Sequence, residues 1–155
     1  MKTLTLDLAT KTGFAHGDIK AQRPRHGTIN FENKTWDGAG VRFIKYRAWL
    51  IKTIKENDIE LLVFEGVRNH TGTTASHIYG GFLCSTQEVS ESLGVPYTAF
   101  GVTEIKKFWT GKGNAKKDAM LQECYDRGLD PADDNAADAI AIWYMAKSTY
   151  GELES

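Results

Sequence analysis

The chain has 155 residues, 41% hydrophobic and 25% charged, the size and balance of one compact domain spanning residues 1–155 rather than of a disordered segment or two cramped domains. No apolar run approaches a membrane span or a signal-peptide core, and Cys84 and Cys124 stand far apart without a CxxC partner, so no zinc knuckle or disulfide framework is suggested and a cytoplasmic setting is expected. The formal net charge of −1 hides a segregation: residues 20–55 carry nine Lys/Arg against Glu32 and Asp37, while residues 118–138 carry seven acids against Arg127, which suits a surface for phosphates beside a site for cations.

Residues 3–8 alternate Thr-Leu-Thr-Leu-Asp-Leu, the period of a strand, and place Asp7 on the same face as Thr3 and Thr5. Two more extended pieces are expected over residues 13–19 and 27–31. The connection between them holds Arg23, Pro24 and Arg25 and reads as exposed. After a turn-like stretch at 33–40, Val41, Ile44, Ala48, Ile51 and Ile54 recur at helical spacing and predict a core-facing stripe, with Arg42, Lys45, Lys52 and Lys55 opposite. Residues 59–65, Ile-Glu-Leu-Leu-Val-Phe-Glu, fit a strand buried on both faces that ends on Glu65.

Ala75, Tyr79, Phe82, Thr86, Val89 and Leu93 predict a second helix that stops near Gly94, followed by a short strand at 95–100. Thr103 is positioned to cap a helix from Glu104, and Gly111-Lys112-Gly113-Asn114 breaks the chain before another helix over 115–127. Asp133, Asp134 and Asn135 form a cap-like entry to a last helix over 136–147, leaving 148–155 as a loose tail. Antiparallel strands first and strand–helix alternation afterwards predict an α/β fold: a mixed five-stranded sheet with helices on both faces.

An acid inside a buried strand is costly unless it is paired, coordinated or wet. Asp7 and Glu65 end two such strands, and if these are neighbours their repulsion calls for a cation between them. Asp138 adds a third oxygen from one turn into a helix, with Asn135 and Asp134 at i−3 and i−4 on its face. Such a set, without histidine or cysteine, selects Mg²⁺, with Mn²⁺ able to substitute, over zinc. Each acid alone has an ordinary structural reading, as a turn acceptor, a strand end or a helix cap. Together they must also explain why acids end the most apolar strands.

Four stretches then resemble the RuvC-type crossover (Holliday) junction endodeoxyribonucleases of the RNase H-like superfamily, in their short phage or prophage versions. They are Leu6-Asp7-Leu8-Ala9-Thr10-Lys11-Thr12-Gly13, Val63-Phe64-Glu65-Gly66-Val67, Ile105-Lys106-Lys107 with Ala115-Lys116-Lys117, and Asn135-Ala136-Ala137-Asp138-Ala139-Ile140-Ala141. The resemblance implies an RNase H-like fold and a metal-dependent endonuclease acting on branched DNA such as four-way junctions. Asp7, Glu65 and Asp138 would be metal ligands, of two ions, and Lys106 and Lys117 would face phosphates near the scissile bond. Lys107, Lys112, Lys116, Arg68, Arg23 and Arg25 complete the expected DNA contacts. A homodimer is expected through the helix carrying Tyr79, Phe82, Thr86 and Val89, with no nucleotide cofactor and no membrane.

The family's last motif is commonly Asp-x-x-Asp, whereas this chain has Asn135-Ala136-Ala137-Asp138, so the fourth ligand is either Asn135 through its carbonyl oxygen or Asp134 one residue earlier; the kept i−3 register favours Asn135 as the aligned ligand, with Asp134 behind it keeping the site negative. Where bacterial members place an aromatic residue shortly after the strand-ending Glu, this chain has Arg68 and His70; His70 and His77 read as surface or DNA-contact residues. Two other functions fit parts of the sequence. One is a DNA-binding scaffold of the same fold without catalysis. The other is an actin-like or sugar-kinase-like ATPase, whose phosphate loop residues 7–13 also resemble.

Overall fold

In a computed structural model the protein is described over residues 1–67, 70 and 72–154. The strands are β1 (Lys2–Asp7), β2 (Lys11–Asp18), β3 (Arg25–Asn30), β4 (Leu61–Gly66) and β5 (Tyr97–Gly101), and the helices are α1 (Val41–Glu56), α2 (Thr73–Leu93), α3 (Val102–Thr110), α4 (Lys117–Asp126) and α5 (Asp134–Tyr150). They form a five-stranded sheet in the order β3-β2-β1-β4-β5. The β1–β2 and β2–β3 pairs are antiparallel, and β1–β4 and β4–β5 are parallel. This is the expected mixed sheet.

Strand parity assigns the two layers. Leu4, Leu6, Leu62 and Phe64 point to the side of α1 and α2, where they pack with Tyr46, Leu50, Phe82 and Val89. Leu61 and Val63 point the other way, into a core with Ile105, Trp109, Met120, Ile140 and Trp143 from α3, α4 and α5. Thr5 shares that second face and donates a 2.7 Å hydrogen bond from its hydroxyl to the Ala139 carbonyl, joining β1 to α5. The Ala-rich start of α5, with Ala136, Ala137, Ala139 and Ala141 fully buried, allows this close approach.

Several elements differ from the sequence expectation. The buried face of α1 is Tyr46, Leu50, Thr53 and Ile54, while Ile44 is 69% exposed and Ala48 is exposed as well. An aliphatic count misplaced the stripe, because the face is set by large rings: Tyr46 meets Phe31 and Phe82 edge-on at 5.4 and 4.9 Å, and its hydroxyl shares a 2.6 Å hydrogen bond with Thr86. Thr103 lies inside α3, whose cap position is Gly101. In place of a loose tail, α5 continues to Tyr150, which stacks on Phe100, and a 3₁₀ turn follows over Gly151–Glu154. Finally, Phe82, Thr86 and Val89 are buried within the chain against α1 and the sheet, so they do not form an outward face for a second copy.

Candidate metal centre

The site follows from strand register. Thr5 pairs with Val63 and Leu6 with Phe64 in the parallel β1–β4 ladder, so Asp7 and Glu65 are the next positions in line. Both carry the parity that points toward α5, and both stand where their strands end. Tyr79 of α2 fixes the end of β4: its hydroxyl donates to the Glu65 carbonyl at 3.0 Å and accepts from the Val67 N–H at 3.2 Å. The sequence offered Tyr79 as a partner-facing residue, and its structural task is this tether.

Asp138 arrives from the opposite layer. The first turn of α5 is capped by Asp133, which accepts from the Ala136 N–H at 2.9 Å and from the Thr28 hydroxyl of β3 at 2.6 Å. Burial pushes the Asp133 carboxyl up, but bonds from Thr28, Ala136 and Asn135 outweigh it and hold the group below the usual range. Gly13 in β2 lets the turn sit down, since a Cβ there would collide with the Asn135 carbonyl. The glycine that closes the motif Thr10-Lys11-Thr12-Gly13 therefore admits the helix that carries Asp138.

These constraints bring one carboxylate oxygen from each of Asp7, Glu65 and Asp138 within 4.8 Å of one another. Burial, then the charges of Asp138 and Glu65, lift Asp7 well above the ordinary carboxylate range, and Asp7 hydrogen-bonds Glu65. Burial likewise raises Glu65, against the bond from Asp7 and the charge of Lys106. Asp138 is pushed up to about 7 by burial and then by Glu65 and Asp134, with Lys106 and Lys117 opposing. Three half-buried oxygen donors, each raised above the ordinary carboxylate range by burial, form a set that a hard divalent cation would complete. With oxygen donors only, the set fits Mg²⁺ or Mn²⁺ rather than zinc.

The two candidates for a fourth ligand are in different situations. Asn135 hydrogen-bonds Asp133 through its side chain and its backbone, which occupies it in the cap. The charge of Asp134 acts on both Asp7 and Asp138, and its carboxylate pairs with the Lys117 ammonium at 3.4 Å. Lys106 and Lys117 thus border the acids. Lys107, Lys112 and Lys116 are exposed on the α3–α4 surface that continues from them.

Arg23 and Arg25 are not brought to this end. They lie at and just before the start of β3, where Arg25 pairs with His16, which in turn pairs with Leu4, three residues or about 10 Å of strand from Asp7. Arg23 donates to the Gly128 carbonyl at 2.7 Å. Arg68 lies outside the described residues. His70 is exposed and packs on the Tyr79 ring at 4.8 Å, and His77 is exposed on the first turns of α2.

No protein-family model matches the sequence, and no curated protein matches it. Solved structures share the fold. Thermus thermophilus RuvC aligns with a TM-score of 0.73 at 18% identity, covering 99% of this chain and 97% of that one. T. thermophilus RuvC in complex with a Holliday junction substrate aligns at 0.79 and 18%, covering 99% and 96%. The yeast mitochondrial Holliday junction resolvase Ydc2 aligns at 0.62 and 11%, covering 97% and 82%. The fold is that of the RuvC resolvases across nearly the whole chain.

Proposed function

We propose that the protein is a divalent-metal-dependent endonuclease acting on branched DNA such as four-way junctions. The observation that carries the reading is the meeting of Asp7, Glu65 and Asp138 within 4.8 Å at one end of the sheet, with lysines on the adjoining surface. Asp7, Glu65 and Asp138 would hold the metal, Mg²⁺ by preference and two ions by analogy with the fold's resolvases, with Asp134 keeping the site negative. The chemistry supplied there is Lewis-acid polarisation of the scissile phosphate and activation of the attacking water. Lys106 and Lys117 place ammonium charge against that phosphate. Lys107, Lys112 and Lys116 extend the cationic surface along the neighbouring backbone, each phosphate contact adding salt-dependent affinity.

A non-catalytic scaffold would need no such cluster, and keeping three desolvated carboxylates against their own repulsion is unfavourable without a cation. The nucleotide-clamp alternative loses its phosphate cradle, because Gly13 is covered by the first turn of α5. The test is a labelled four-way junction incubated with the protein in Mg²⁺ or in EDTA. Strand cuts in Mg²⁺ alone are expected; junction binding without cuts in either condition would return the scaffold reading, and ATP turnover without DNA the kinase-like one.

A further inference from the structure

We propose that the loop between β3 and α1, with the groove it borders between α1 and α2, binds unpaired bases of the DNA substrate: Trp36 stacks on one base and the groove receives the next. The inference rests on the branched-DNA reading above and names a contact for it. Trp36 is 94% exposed. It stands at the tip of a closed turn, in which the Lys34 N–H donates to the Asp37 carboxylate at 2.8 Å and the Asp37 N–H to the Lys34 carbonyl at 2.9 Å. The Lys45 ammonium lies 3.8 Å from the Asp37 carboxylate and offsets its charge. An indole displayed on a pinned turn loses little freedom when it stacks, and a π face accepts any base.

The loop is rooted beside the acids. At its start the Phe31 N–H donates to the Thr10 carbonyl at 2.8 Å, and at its end the Arg42 guanidinium donates to the Thr10 hydroxyl at 2.8 Å. Thr10 is three residues from Asp7, a chain path of at most about 11 Å. Three residues beyond Trp36, Ala39 enters a groove of about 290 Å³ that it lines with Arg42, Phe43, Thr74, His77 and Ile78. That volume lies near the lower end for small-ligand sites, about 300 Å³, and so fits one planar group.

The occupant follows from charge and continuity. Among the described residues no carboxylate lines the groove, Arg42 keeps donors beyond the one given to Thr10, and Lys11 and Lys34 are exposed nearby on the chain. Ile78 is followed by Tyr79, whose hydroxyl holds the Glu65 carbonyl. A mainly apolar groove with Arg42 in its lining, three residues along the chain from Trp36 and linked through Thr10 and Tyr79 to the segments that carry Asp7 and Glu65, matches a nucleic-acid strand whose bases have left the stack.

The experiment measures binding in EDTA, where no cleavage intervenes, to a fork with single-stranded arms and to a blunt duplex of equal length. Trp36→Ala is expected to weaken fork binding about fivefold to a hundredfold, the range for loss of one base–aromatic stack, and to leave duplex binding unchanged. Trp36→Phe restores most of the fork affinity, Thr74→Glu weakens the fork selectively, and the fork quenches wild-type tryptophan emission more than it quenches Trp36→Phe. Equal fork affinity in Trp36→Ala, or equal losses on fork and duplex, would overturn the inference, as would a groove closed by a second copy, seen as a DNA-free dimer that Thr74→Glu dissociates. A cleavage assay in Mg²⁺ on the same fork separates the two readings. Absence of cutting counts against the nuclease, whereas unchanged fork affinity in a cutting Trp36→Ala variant counts against the loop alone.

Discussion

Asp138 shows what a single carboxylate costs in this site before a cation arrives. Its folded-state pKa of about 7 is above the ordinary 3.8, so the folded protein holds this proton more tightly than the unfolded chain does. The resulting stability is fully present below about pH 4 and is lost as the pH rises toward and through 7, on the order of 4 kcal/mol at most by the end. Histidines act in the opposite sense, since His16 and His26 are lowered by burial. The comparison is therefore made between wild type and Asp138→Asn, in EDTA at pH 5 and pH 8. The variant should gain stability relative to wild type at pH 8 more than at pH 5, and Mg²⁺ should close the gap by stabilising wild type; melting curves without that pH dependence would show that Asp138 is not strained. The doubtful ligand is decided at the same scale. Asn135 is engaged by Asp133 while the charge of Asp134 reaches the acids, so Asp134→Asn should shift the Mg²⁺ requirement for cleavage to higher concentration by several-fold and Asn135→Ala should shift it little. The reverse order would assign the ligand to Asn135.

At the scale of elements, α5 and the β1–β2 hairpin make the site jointly. Gly13→Ala puts a methyl group into the Asn135 carbonyl and forces either the hairpin or the helix to move. Overpacking of this kind costs about 1–3 kcal/mol, and here the movement separates Asp138 from Asp7. We expect a lower melting temperature together with a weaker Mg²⁺ response; a normal Mg²⁺ titration in a destabilised variant would show that the contact serves packing only. Much of this scale was legible in the sequence. The parity of residues 3–8 placed Asp7 with Thr3 and Thr5, and the apolar run ending at Glu65 placed the second acid. The face of α1 was not legible from aliphatic spacing, because Tyr46 lies fully buried while Ile44 stays in water, a choice set by the rings of Phe31, just after β3, and Phe82 of α2 that no local pattern reveals. Nor could spacing show that Asn135 would be spent on Asp133, since i−3 and i−4 positions share a face and only the cap geometry separates them.

At the scale of the molecule, four short motifs spread along the chain converge on one end of one sheet, and the fold is shared with the bacterial RuvC and yeast Ydc2 structures at 11–18% identity. Their convergence, rather than any one motif, made the site readable. Of the residues expected to pair two copies, Phe82 belongs to the core between α1 and the sheet. Phe82→Ala should therefore cost about 3–5 kcal/mol in unfolding titrations at any protein concentration, where an interface residue would instead lower the association constant and leave the subunit stable. A resolvase that cuts opposing strands still needs two centres, and sedimentation with and without a junction reads whether two copies assemble by another surface.

The central claim is that Asp7, Glu65 and Asp138 act as one metal-dependent cutting centre. Single-turnover cleavage of a labelled four-way junction in Mg²⁺, measured beside junction affinity in EDTA for wild type and Asp7→Asn, tests it most directly. The account predicts that Asp7→Asn loses cleavage by a factor of at least about 10³, a loss of roughly 4 kcal/mol in transition-state stabilisation, and binds the junction as tightly as wild type or more so. Cleavage by Asp7→Asn at the wild-type rate would contradict it.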